Sequence, residues 1–87
     1  MLYKKEFRTR FNQATDTKGE SITAFLVGFD GLGNRYNSKQ KTTAYDYSLD
    51  AYENHLKAVE ALEGDNLDLF KIKELQKGYR FEQLIEL

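Results

Sequence analysis

Residues 46–64 read Asp-Tyr-Ser-Leu-Asp-Ala-Tyr-Glu-Asn-His-Leu-Lys-Ala-Val-Glu-Ala-Leu-Glu-Gly. Leu49, Tyr52, Leu56, Val59 and Leu62 recur at helical spacing, with Ala58 beside them, so the stretch reads as one amphipathic helix. Asp46 or Ser48 is placed to cap it, because either side-chain oxygen can accept an orphan backbone N–H. Asp50 and Glu53 fall in or near the first turn, where the helix dipole favours negative charge. Gly64 suits the left-handed position that ends a helix.

On either side of this helix the sequence alternates. In residues 2–11, Tyr3, Phe7 and Phe11 share one parity, and Lys4, Glu6, Arg8 and Arg10 share the other. That is the pattern of a half-buried strand. Residues 12–20 are polar and read as a loop. Residues 21–29 are apolar on both parities, which suits a strand covered on part of both faces. Asp30-Gly31-Leu32-Gly33-Asn34 reads as a hairpin loop. Residues 35–43 form its return strand, with Tyr36 the best inward residue and lysines guarding an exposed edge. Residues 69–75 alone fit strand or helix. The Lys77-Gly78 turn and the alternation of Tyr79, Phe81, Ile85 and Leu87 favour a closing hairpin. The expected fold is α+β, a single β-β-β-α-β-β domain over residues 1–87. Its sheet is mainly antiparallel and five-stranded, with one helix on one face and the other face solvated or turned to a partner.

Composition bounds the chemistry. The chain has 87 residues, no cysteine and one histidine, which excludes disulfides and thiolate metal sites and leaves no basis for a structural zinc. No apolar run is long enough to span a membrane. Met1-Leu2-Tyr3-Lys4-Lys5 leads into charge, so no signal peptide is expected and a cytoplasmic setting is. The formal net charge is −1, but it is unevenly spread. Residues 1–45 carry eight Lys and Arg against four Asp and Glu, while residues 46–87 carry five against ten.

Few residues suggest catalysis. His55 lies at the border of the apolar helix face, where a ring most simply hydrogen-bonds a neighbouring strand or loop, and Asn54 can do the same from another angle. Nothing at helical spacing supplies His55 with a nucleophile or a second ligand. Asp46 and Asp50 are better explained as helix-start residues than as an acid–base pair. Gly28, Gly31 and Gly33 spell G-x-x-G-x-G, but neither Gly-Lys-Ser/Thr nor a helix follows, so they are turn glycines. No cofactor motif is present. The chain therefore reads as non-enzymatic.

The strongest chemical signal is basic. Lys4, Arg8 and Arg10 project from one face of the first strand, and Lys18, Arg35, Lys39 and Lys41 come from the adjoining loop and return strand. Such residues could neutralise phosphates, and Tyr36 could stack on a base. Against this, Tyr3, Phe7 and Phe11 lie on the face opposite Lys4 and Arg8. A stacking platform needs rings and cations together.

Four stretches carry a family likeness: Thr15-Asp16-Thr17-Lys18-Gly19; Tyr45-Asp46-Tyr47-Ser48-Leu49-Asp50; Asn54-His55-Leu56-Lys57-Ala58; and Gly78-Tyr79-Arg80-Phe81. In order and rough spacing they resemble a family of small uncharacterised phage and prophage proteins. The chain has Ala44 where that family often has proline, and Asp65-Asn66 where it often has Gly-Trp. The resemblance implies a mobile-element setting and no particular reaction. Tyr45, Asp46, Tyr47, Ser48, Asn54 and His55 are its structural motif. The expected function is binding to an unidentified host, phage or defence protein, in the manner of an inhibitor. The alternative is sequence-tolerant binding of single-stranded nucleic acid through the N-terminal basic face. A homodimer through an edge strand is compatible with either.

Overall fold

The N-terminal strand takes the middle of the sheet. The computed structural model describes residues 2–64 and 69–86; Met1, Asp65, Asn66 and Leu87, named above, lie outside them. The elements are β1 (Leu2–Asn12), β2 (Ser21–Phe29), β3 (Arg35–Ala44), α1 (Ala51–Glu63), β4 (Leu69–Leu75) and β5 (Gly78–Glu86). The strand order is β3-β2-β1-β5-β4 and every adjacent pair is antiparallel. This is the α+β arrangement expected, with strand limits within one residue or so of those read from the sequence.

Register assigns the faces. Phe7 lies opposite Leu26 on β2 and Phe81 on β5, and Thr9 lies opposite Ala24. Partners across an antiparallel ladder share a face. Phe7, Ile22, Ala24 and Phe81 thus join Ala58 and Val59 of α1 in a fully buried core. Phe11, Leu26, Tyr45, Tyr52, Leu56, Leu62 and Tyr79 pack around it, partly buried.

The helix begins later than its apolar pattern suggests. Asp50, neither Asp46 nor Ser48, is the N-cap: its side chain accepts the Glu53 N–H at 2.7 Å. Asp46 instead closes its own turn, accepting from the Ser48 N–H at 2.9 Å and the Ser48 hydroxyl at 2.6 Å. Leu49 therefore precedes the helix. The buried face is also rotated from the expected stripe, centring on Asn54, His55, Ala58 and Val59, with Tyr52, Leu56 and Leu62 half-buried. Two polar side chains can sit there because each has its hydrogen bonds satisfied. At the other end Gly64 takes φ +108° and its N–H donates to Glu60 O at 2.7 Å.

β3 departs most from expectation. It is exposed along its length except for Thr43. Tyr36 does lie on the helix side, opposite Gly28 with its ring over that glycine, but it stays 52% exposed and does not join the core. A bulge sets which of its residues face which way: Leu26 pairs with Lys39 but Val27 with Asn37, leaving Ser38 extra. The Ser38 hydroxyl donates to Leu26 O at 3.0 Å and holds that irregularity. An extra residue reverses which face follows. Lys39 and Lys41 point to the helix side, while Asn37 and Arg35 point to the open side.

One close approach fixes the β1–β5 junction. A Cβ on Gly78 would lie 1.8 Å from the Thr9 carbonyl oxygen, and the Phe11 N–H donates to Lys77 O at 2.6 Å. The backbones touch there, so no larger residue fits. Among the described residues, no helix is long and apolar enough to cross a membrane.

Phe7→Ala should cost about 3–5 kcal/mol, since it empties a fully buried aromatic site, and Leu56→Ala distinctly less. Urea midpoints at unchanged slope check this; equal losses would place the helix face wrongly.

Candidate functional site

The face of the sheet away from α1 is neither apolar nor bare. β1 contributes Lys4, Glu6, Arg8 and Arg10 by alternation, β5 contributes Arg80 and Glu82, and the bulge in β3 adds Arg35 and Asn37. β2 contributes Thr23, Phe25, Val27 and Phe29. Of these, Thr23, Phe25 and Val27 are buried, which explains why β2 is apolar on both parities.

Charges here meet diagonally. Glu6 lies opposite Glu82 and Arg8 opposite Arg80, two like-charge pairs that would repel if left alone. The favourable partners are one step over. Lys4 Nζ is 3.9 Å from Glu82, Arg80 Nε is 3.7 Å from Glu6 Oε1, and Arg35 Nη2 is 3.3 Å from the same oxygen. Glu6 is only 8% exposed and is committed to those two arginines. Among the described residues, Arg8 and Arg10 have no ion-pair partner. The Arg10 Nε–H donates to Asn12 Oδ1 at 3.2 Å, and its guanidinium lies 5.5 Å from the Phe25 ring centroid.

Between these groups runs a trough of about 320 Å³. Arg8, Arg10, Phe25, Asn37 and the Gln76–Lys77 turn line it. Among the described residues, the lining includes three cations and no carboxylate. Beside it Asn12 Nδ2 donates to Thr23 Oγ1 at 2.9 Å, and the Thr23 and Thr42 hydroxyls lie 2.9 Å apart, which fixes the polar side chains of the neighbouring strands.

The seven cations singled out from the sequence do not form one patch. Lys4, Arg8, Arg10 and Arg35 share the open face. Lys18 sits in the exposed β1–β2 loop, where its N–H donates to Thr15 Oγ1 at 3.2 Å. Lys39 and Lys41 lie on the helix side; Lys39 and Lys5 grip Glu63 at 2.7 and 3.1 Å. Burial is the largest single influence and raises the Glu63 pKa, but the hydrogen bonds and charges of Lys39 and Lys5 together outweigh it and leave it lowered. The rings that accompany the open-face cations come from β2, as Phe25 and Phe29. Sequence alternation misses them, because only the β1–β2 register puts odd β2 residues beside even β1 residues.

The motif residues build the entry to α1. Asn54, 1% exposed, donates to Asp46 O and Asp50 O at 2.9 Å and accepts the Asp46 N–H at 2.8 Å. Tyr45 meets Phe11 edge-on at 5.8 Å and lies 5.1 Å from the Tyr47 ring. The Tyr47 hydroxyl donates to Glu20, and that bond raises the Tyr47 pKa. His55 Nδ1 lies 2.6 Å from Thr9 Oγ1, which also accepts the Tyr79 N–H at 3.0 Å. The His55 ring stacks edge-on against Tyr79 at 4.9 Å. These bonds tie helix to strand. Among the described residues, no three His, Cys, Asp or Glu side chains converge as a metal site. Comparison of the chain with protein-family models, curated proteins and solved structures finds no match.

Burial lowers the His55 pKa below its ordinary 6.5. The unfolded chain therefore binds the proton more readily, and the stability from neutral His55 is present above about pH 6.5 and lost as pH falls below it. Urea midpoints should drop between pH 7.5 and pH 5.5 in the native protein and much less in His55→Gln. An equal drop in both would contradict this account of His55.

Proposed function

We propose that the protein is a non-enzymatic binder of single-stranded nucleic acid, using the open face of its sheet. The observation that carries this is the trough on that face, lined by Arg8, Arg10, Lys77 and Phe25 and, among the described residues, by no acid. A polyanion gains most where cations are unpaired and carboxylates are absent. Rings beside those cations add sequence-tolerant stacking, since every base has a π-face.

The distribution of charge supports the same reading. A chain of net charge −1 is a poor polyanion ligand as a whole. Here, however, the acids Asp46, Asp50, Glu53 and Glu60 gather at the helix and its entry, behind the sheet. Segregation of this kind orients an approaching polyanion toward the basic face. The objection from sequence, that rings and cations lie apart, applies to the β1 aromatics and does not reach Phe25 and Phe29.

A second reading, binding to a host or phage protein, is favoured by Leu32, 89% exposed at the tip of the β2–β3 hairpin. It accords with the mobile-element setting that the family resemblance implies.

Fluorescence anisotropy with labelled oligothymidylate and oligouridylate tests the main reading. Binding should weaken as salt rises, and Arg8→Ala with Arg10→Ala should lower the log–log salt slope by about 1–1.5. No binding at low salt, or a slope that ignores both substitutions, would overturn it. A stoichiometric protein partner that survives nuclease treatment would then put the second reading in its place.

A further inference from the structure

The open face carries an arginine-over-phenylalanine arrangement twice. The Arg10 guanidinium lies 5.5 Å from the Phe25 ring centroid and the Arg35 guanidinium 5.8 Å from that of Phe29. In each case the arginine comes from the strand beside β2, β1 for Arg10 and β3 for Arg35. Phe25 and Phe29 are four residues apart on the same face of β2, which in extended chain is about 13 Å. Phe29 is 54% exposed and Phe25 9%, so the first ring is open and the second lies under its arginine.

Between the two lies a different environment. Val27, 7% exposed, is opposite Glu6, and Glu6 holds Arg35 and Arg80. One Glu6 oxygen, Oε2, is buried with no hydrogen-bond partner among the described residues. A phosphate placed there would meet this carboxylate and find the nearest arginines already engaged. The middle of the face therefore repels backbone phosphate, while each end offers a ring with a guanidinium to cover it. Guanidinium planes stack on flat π-systems as readily as they pair with phosphate.

Resting on the nucleic-acid reading above, we infer that the face holds two base-stacking subsites, Phe25 with Arg10 and Phe29 with Arg35. One strand would bridge both. The ligand this selects is an oligonucleotide of about four nucleotides or more, the low end for a small sheet-based module. At the Phe25 end a base stacks on the Arg10 guanidinium that covers the ring, and at the Phe29 end on the open ring itself. The linking phosphates keep clear of Glu6 and approach Arg8. A dinucleotide engages one subsite at a time.

The test uses the full chain with 5′-labelled (dT)2 and (dT)4 at low salt. The longer strand should bind about tenfold more tightly than its additional registers alone explain, the worth of one further stacked base. Phe29→Ala should reduce that advantage to the statistical one, and Phe29→Tyr, which keeps the ring, should retain it. Circular dichroism confirms that both variants are folded. A native advantage no larger than statistical would overturn the two-subsite inference, as would Phe29→Ala keeping the full advantage. In either case the nucleic-acid reading stands, because both strands bind. If neither strand binds, both fall together.

Discussion

β1 is paired along both edges, so its two faces are fixed at once. A slip of one residue against either neighbour would send Phe7 and Thr9 outward and bring Glu6 and Arg8 into the core. The fully buried cluster of Phe7, Ile22, Ala24, Phe81, Ala58 and Val59 forbids that slip. So does the contact of Gly78 with the Thr9 backbone, which leaves no room for a Cβ. Thr9 then receives His55 from the helix and the Tyr79 N–H from β5 on one hydroxyl. Helix, central strand and closing hairpin are joined at that residue.

The same alternation builds the open face. Once Phe7 and Thr9 point inward, Lys4, Glu6, Arg8 and Arg10 must point outward, and β5 brings Arg80 and Glu82 beside them. The like-charge pairs that result are relieved by diagonal partners. Glu6 binds two arginines and is withdrawn from solvent, and Glu82 binds Lys4. Among the described residues, Arg8 and Arg10 remain without an ion-pair partner, beside the trough. The basic surface is thus a remainder, what is left after the core and the diagonal pairs have been satisfied.

Much of the fold was legible because its signals are local. Alternation marked β1, turn residues bounded β2, and helical spacing marked α1 ahead of Gly64. What was not legible depended on tertiary register. The cap moved to Asp50 because Asp46 had a closer use, closing the turn with Ser48 and accepting Asn54 on its carbonyl. The helix face turned toward Asn54 and His55 because their hydrogen bonds made polar burial affordable there, which periodicity of apolar residues cannot register. Of the proposed site, Lys4, Arg8, Arg10 and Arg35 were legible as cations on strands. The exclusion of Lys39 and Lys41 followed from one bulged residue, Ser38. Phe25 and Phe29 were legible as apolar residues, but their place beside arginines was set by pairing between strands.

The central claim is that the open face, and not the helix, meets single-stranded nucleic acid. A nitrogen–proton correlation spectrum of the labelled full chain, titrated with (dT)4, tests it directly. The account predicts shifts concentrated in β1 and β2 and at the Gln76–Lys77 turn, with the Ala51–Glu63 helix resonances unmoved. Shifts centred on the helix or on Leu32 at the hairpin tip, or none at all, would contradict it.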